Sequence, residues 1–329
     1  MTTGISADQP TSRRTNRVSA AGPDLALLVM AAAWGSSYLA AKHVATRENA
    51  FGFLVLRFAI AMAVLGLVLA PRLRNLRREE LLFGTGFGCI LAVIFSLETF
   101  GVVHTSASNA GLIISLTIVM TPLLQQATGG GSLPRRFYAA AATSVAGVAL
   151  LTQGHGLSAP DTGDVLILAA AIARAVHVVW MDRACRTRPM DTSRLTLMQL
   201  ATSLAVFTAL SQLAGQGLIT TAATISPSGW LLTAYLALVC TVFAFITQMW
   251  AVRRTSAARV SLLLGTEPFF AAAVGILLAG DPLTTISAIG AALVLAGTSW
   301  GRHIDNRRTP AQQESPPMTP ATRQGLPPN

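Results

Sequence analysis

The hydrophobic and polar positions of the chain alternate in long apolar runs separated by short polar turns. After 23 polar residues carrying Arg13, Arg14 and Arg17, apolar segments fall at about 24–42, 51–70, 81–103, 107–128 and 137–152. Five more follow at about 164–181, 195–214, 229–250, 257–279 and 283–301. Each comes near the ~20 residues that a helix needs to cross the hydrocarbon core of a bilayer. The pattern predicts an all-α integral membrane fold of ten transmembrane helices. Residues 1–23 lack the apolar core and small-residue cleavage site of a signal peptide and read as a disordered tail. From Arg302 onward, Pro310, Pro316, Pro317, Pro320, Pro327 and Pro328 stand among Gln, Thr and Arg. That composition cannot build a core and predicts a second disordered tail over 302–329.

Composition sharpens the class. Of the 329 residues, 52% are hydrophobic and 12% charged, against about 25% charged in a soluble domain. The mean hydropathy is +0.55. An ordinary soluble enzyme is excluded. A pI near 11.1 would suggest nucleic acid in a soluble protein, but the basic residues are sorted. With the N-terminus in the cytoplasm, 20 of the 24 lysines and arginines fall in the tails and in the turns after helices two, four, six and eight. They include Arg72, Arg74, Arg77, Arg78, Arg135, Arg136, Arg183, Arg186, Arg188, Arg194, Arg253, Arg254 and Arg259. Only Lys42 and Arg47 lie on the other side, and Arg57 and Arg174 lie inside helices. Retention of positive charge on the cytoplasmic face explains the split, so no nucleic-acid partner is called for. Cys89, Cys185 and Cys240 form no CxxC or Cys/His cluster and read as small hydrophobes. No metal and no cofactor is expected.

An internal repeat appears at an offset of 150. Phe100–Ser108 sets Thr105-Ser106-Ala107 against Thr255-Ser256-Ala257 of Trp250–Ala258. Gly130 then matches Gly280, Ala141-Ala142 matches Ala291-Ala292, and Ala146-Gly147 matches Ala296-Gly297. Five helices per half is an odd number, so the second half enters the membrane inverted. Charge agrees: the arginine-rich turn 71–80 answers to an uncharged stretch from Gly215 to Gly229. Inverted repeats with a site near the midplane are a common transporter construction.

These motifs resemble the drug/metabolite transporter superfamily with two EamA-like domains, 24–152 and 164–301. The likeness rests on Ala33-Trp34-Gly35-Ser36-Ser37, Leu56-Arg57-Phe58, the run 105–112 with Thr121-Pro122, and Gly163-Asp164. It continues from Thr255 through Glu267-Pro268 to Gly280-Asp281-Pro282-Leu283. Gly130-Gly131-Ser132 departs from it, standing where the family has an acidic residue after the glycine. Arg174 stands near the place of an aromatic. The resemblance implies a bacterial permease that exports a small metabolite or drug-like solute.

Candidate pathway residues are few. Pro122 and Pro268 interrupt helices four and nine, which are repeat partners, and read either as matched breaks that point to a binding site or as packing kinks. Arg57, Glu98, Arg174, His177 and Glu267 are the ionisable side chains inside helices, where each costs about 2.5–3.5 kcal/mol at the bilayer centre. Glu267 and Arg174 both fall near the midplane and are expected to pair across the central cavity, either as an ion pair that solute or proton can break or as a purely structural one. Arg57 lies near the outer boundary, within reach of the interface by snorkelling, while the resemblance at its position implies an orienting role. Glu98 reads as either a proton-sensitive gate or a group wetted at a helix end, and His177 as a titratable or a packing residue. Asn109 adds an uncharged polar group, Trp34 is the deepest aromatic, and Gly84 with Gly88 forms a packing GxxxG. Trp180, Trp250 and Trp300 read as interfacial. The sequence carries no phosphate loop or HExxH or GxSxG motif, so neither ATP drive nor an enzyme is expected. A small-molecule solute and the lipid bilayer are the expected partners, and a homodimer is left open. The rival readings are a membrane scaffold or sensor acting through its basic face and tail, and a lipid flippase of the same fold.

Overall fold

The structure is a computed structural model and describes residues 21–73, 76–129, 132–151, 160–188, 190–254, 260 and 263–313. The N-tail with its three arginines, Arg74, Gly130-Gly131, Thr255-Ser256-Ala257, Arg259 and the tail beyond 313 lie outside those residues.

Each of the ten apolar segments contains helix. The first three are α1 (Ala21–Val44), α2 (Ala50–Leu73) and α3 (Arg78–His104). The fourth is divided into α4 (Ala107–Ile114) and α5 (Thr117–Ala127), and the fifth is α6 (Arg135–Leu151). Then come α7 (Thr162–Thr187) and α8 (Thr192–Leu213). The eighth is α10 (Pro227–Ala237), a π-helical stretch Leu238–Phe243, and α11 (Ala244–Arg254). The ninth ends in α12 (Glu267–Leu277), and α13 (Thr285–Gln313) is the tenth. The uncharged stretch 215–229 was expected as a turn but holds a short helix, α9 (Leu218–Thr224). The last helix runs on to Gln313, past the expected boundary at 301. Among the described residues no strand occurs, and seven helices are long and apolar enough to cross a membrane.

Close helix crossings report helix direction. A methyl group at Gly84 would meet Met198 and Leu195, and one at Gly88 would meet Thr202 and Gln199. The contacts advance together, so α3 and α8 run parallel. The expected GxxxG face therefore packs against α8. A methyl at Gly111 would meet Ala271, and one at Gly275 would meet Ser108, so α4 and α12 run antiparallel. Small residues let membrane helices approach this closely, because packing rather than water drives their association.

The α6–α13 crossing has two-fold character. A Cβ at Gly147 would lie 2.6 Å from the Val294 nitrogen and 2.8 Å from the Gly290 carbonyl oxygen. One at Gly297 would lie 2.6 Å from the Ser144 nitrogen and 2.7 Å from the Ala140 carbonyl oxygen. Each contact is the other shifted by 150 residues. The two helices are antiparallel, as an inverted repeat requires.

The same offset relates the helix breaks. Leu116 N–H donates to the Ile113 carbonyl at 3.0 Å, and Thr266 N–H to the Leu263 carbonyl at 3.1 Å. Val119 N–H donates to Leu116 and Phe269 N–H to Thr266, both at 3.0 Å. The first interruption therefore sits at Ser115-Leu116 and not at Pro122, which lies buried inside α5. Pro268 fits the expectation better: it occupies the first turn of α12, where its missing N–H has no intrahelical partner to lose.

Candidate functional site

The breaks and the π-helical stretch surround two adjoining cavities. The larger, of about 420 Å³, is walled by α1, α2 and α3 from the first half and by α7, α8, the π-helical stretch, α11 and Glu267 from the second. Trp34, Arg57, Glu98, Arg174, His177 and Glu267 all line it. The smaller, of about 380 Å³, lies at the two breaks and is lined by Ser115, Gly265, Pro268 and Arg302 among others. Arg174, Gln248 and Glu267 border both cavities. Asn109 and Pro122 line neither.

The charges pair differently from expectation. Arg174 reaches Glu98 on α3, tying the first half to the second. Glu267 instead accepts a hydrogen bond from the Tyr38 hydroxyl at 2.8 Å. Helix spacing fixes which face a residue occupies but not which neighbouring helix that face meets, so the partner was beyond reach of the sequence. Glu98 lies inside α3 and not at its end, 9% exposed on the cavity wall.

Arg57 does not snorkel. It is 8% exposed, and its guanidinium carbon lies 4.9 Å from the centre of the Phe95 ring. That ring packs edge-on against Phe58, which in turn meets Phe207 at 5.0 Å between centroids. Among the described residues Arg57 makes no hydrogen bond or ion pair, and its Nε is a buried atom without a partner. His177 has packing roles: one ring nitrogen lies 2.8 Å from the Gln199 side-chain oxygen, and the ring stands edge-on to Phe87.

Several participants carried no sequence signal. The π-helical stretch lengthens the hydrogen-bond ring, and Trp34 Nε1 donates to the Cys240 carbonyl there at 2.8 Å. The Ser36 and Tyr235 hydroxyls are 2.6 Å apart, joining α1 to α10. Local π-helix is frequently associated with function, and here it places Cys240 and Thr241 on the cavity wall. Arg302, counted with the cytoplasmic tail, is buried instead and packs over Gly265 at the second break. Trp180, Trp250 and Trp300 are exposed, compatible with an interfacial position.

Away from the cavities, conserving the α4 geometry falls to carboxylates. The Ser106 hydroxyl caps α4 by accepting from Asn109 N–H at 3.0 Å. Thr105 donates its hydroxyl to Asp164 at 2.5 Å, and Lys42 donates to the Thr105 carbonyl. Ser108 donates both its N–H and its hydroxyl to Asp281, at 2.9 and 2.6 Å. The motif residues Thr105, Asp164 and Asp281 thus hold the N-terminal end of α4, where negative charge is favoured. Asn109 belongs to this cluster and not to the cavity.

Comparison with known proteins agrees with the fold. The model of the EamA-like transporter family matches residues 22–153 and 161–300. An uncharacterized transporter of Archaeoglobus fulgidus is 25% identical over 276 residues, covering 83% of each chain. A probable terminal-alkyne amino-acid exporter of Streptantibioticus cattleyicolor is 25% identical over 291 residues, covering 86% of this chain and 93% of its own. A solved crystal structure, 20% identical, superposes with a TM-score of 0.61 over 88% of this chain and 98% of its own. By the family match over both halves, the chain belongs to the EamA-like transporter family and is a multi-pass membrane transporter of a small-molecule solute.

Proposed function

We propose that the protein is a ten-helix secondary permease, built from inverted repeats 24–152 and 164–301, that exports one small solute across the cytoplasmic membrane by alternating access. Both tails lie in the cytoplasm. The observation that carries this reading is the 420 Å³ cavity walled by both halves and holding the Arg174–Glu98 pair between them. Helix directions support the count of ten. Segments three and seven run parallel, while four and nine, and five and ten, run antiparallel. Parallel pairs are separated by an even number of crossings and antiparallel pairs by an odd one. The arginine distribution supports the orientation. Glu98 and Glu267 place two carboxylates on the cavity wall, which supports a reading in which outward movement is coupled to the proton gradient. The named activity of the Streptantibioticus relative makes amino acids the first solutes to try.

Flux from proteoliposomes, with and without an imposed pH gradient, tests the reading. Accumulation that follows the gradient is the expected result. Downhill flux indifferent to the gradient removes the coupling and keeps the permease. Folded protein that carries no solute from a broad metabolite pool removes both.

A further inference from the structure

The four Arg and Glu side chains on the larger cavity are unequally engaged. Arg174 and Glu98 neutralise each other, and Glu267 accepts from Tyr38. Arg57 is left over. It is more than nine-tenths buried and borders the cavity, and its Nε has no partner among the described residues. Phe95 supports the guanidinium through its ring face, which is attractive to a cation but supplies no hydrogen-bond acceptor. A buried cation without an oxygen partner is costly, and a guanidinium presents a planar fork matched to a carboxylate.

We propose that Arg57 is the docking residue of the transported solute, and that the solute is a monocarboxylate with an apolar body. This deepens the permease reading and rests on the same cavity. One carboxylate supplies the oxygen partner that the Arg57 guanidinium lacks among the described residues. A second negative charge would face Glu98 and Glu267 across the same space, which disfavours phosphate and dicarboxylates. Trp34, Phe58, Phe95 and Phe245 give the apolar body its walls. Arg57 touches the solute, so it determines specificity rather than supporting the fold alone.

Calorimetric titration of the full-length protein in nanodiscs at pH 7 tests this with matched probes. They are phenylacetate, phenylacetamide and phenethylamine, then hexanoate and hexanamide. The charge-assisted contact predicts that each carboxylate binds at least about tenfold more tightly than its amide. In Arg57→Gln the ratio falls to about one while amide affinity is retained, and Arg57→Lys, which keeps charge but loses the fork, falls between. The wild-type ratio decides the matter even where a variant fails to fold. A ratio near one, no carboxylate binding up to millimolar concentration, or an undiminished ratio in Arg57→Gln overturns the proposal. The permease reading fails separately. Carboxylate preference without vesicle flux sinks transport and leaves the docking role, whereas flux of neutral or cationic solutes without that preference does the reverse.

Discussion

Removing either partner of the Arg174–Glu98 pair leaves a charge on the cavity wall. The side chains are 29% and 12% exposed, so the pair is neither dry nor fully solvated. Breaking a fully buried pair costs about 3–5 kcal/mol, and an exposed pair is worth about 0–1. An intermediate site gives about 2 kcal/mol for Glu98→Gln or Arg174→Gln alone. Arg174 has less tolerance than this average, because its Nε is already buried without an acceptor. With both charges gone, no orphan remains, so the double variant is expected to be about as stable as either single one. That leaves a coupling of about 2 kcal/mol, well above the ~0.5 kcal/mol seen between independent sites. Equilibrium unfolding in mixed detergent micelles measures all four corners of the cycle. Flux separates the roles: the double variant is no less stable than either single one but does not recover gradient-driven transport. Strictly additive destabilisation, or two neutral single variants, would refute the reasoning.

Three further outcomes follow from the geometry. At the α6–α13 crossing, Gly147→Val and Gly297→Val each place a side chain within 3 Å of the opposing backbone and should cost about 1–3 kcal/mol. The two should be sub-additive, since one separation of the helices relieves both, and thermal unfolding of the single and double variants checks this. Glu267→Gln is expected to abolish the response of flux to a pH gradient while sparing downhill flux, and Tyr38→Phe to shift the pH midpoint of transport. An unchanged pH profile in Glu267→Gln removes that residue from proton transfer. Outside the membrane-spanning segments, Asp191 is partly buried, which raises its pKa. The Ser193 and Arg194 N–H groups and the Arg194 guanidinium outweigh this and hold it below the usual value. A depressed folded pKa gives stability that is present above the unfolded value and lost as pH falls through the folded one. Acid unfolding below about pH 4 should therefore be less steep in Asp191→Ala, read by circular dichroism.

The large features were legible because membrane helices announce themselves by length and hydropathy. All ten segments hold helix, and Trp34, Arg57, Glu98, Arg174, His177 and Glu267 share one cavity. What failed was anything set by side-chain reach between helices. Arg174 has the same spacing on α7 whether it turns to Glu98 or Glu267. The stretch Leu238–Phe243 has no proline or glycine to mark its π-helical turn, and its hydropathy continues unbroken. The break at Ser115-Leu116 hides for a similar reason: neither residue is a helix breaker, and Pro122 drew attention downstream. It becomes visible only beside Gly265-Thr266 at the 150-residue offset. Arg302 was assigned to the tail because charge sorting counts residues without asking whether a neighbouring helix passes over them.

The two breaks and the shared border of the cavities bear directly on how access could alternate. Arg174, Gln248 and Glu267 stand between the larger cavity and the smaller one at the breaks. Glu267 opens α12 immediately after Gly265-Thr266, at the helix end that favours a negative charge. A bend at 265–266 would therefore move this carboxylate relative to Tyr38 on α1 and change the partition directly. A bend at 115–116 would move Ser115 and Thr117, which also line the smaller cavity. Because the breaks are repeat partners in oppositely directed segments, flexing one half resembles flexing the other with the membrane reversed. The proposed alternating-access cycle would use this symmetry, the two breaks acting as equivalent hinges at opposite ends of one site. Locking one hinge, for example with Gly265→Pro, should arrest transport while leaving solute binding at Arg57 intact.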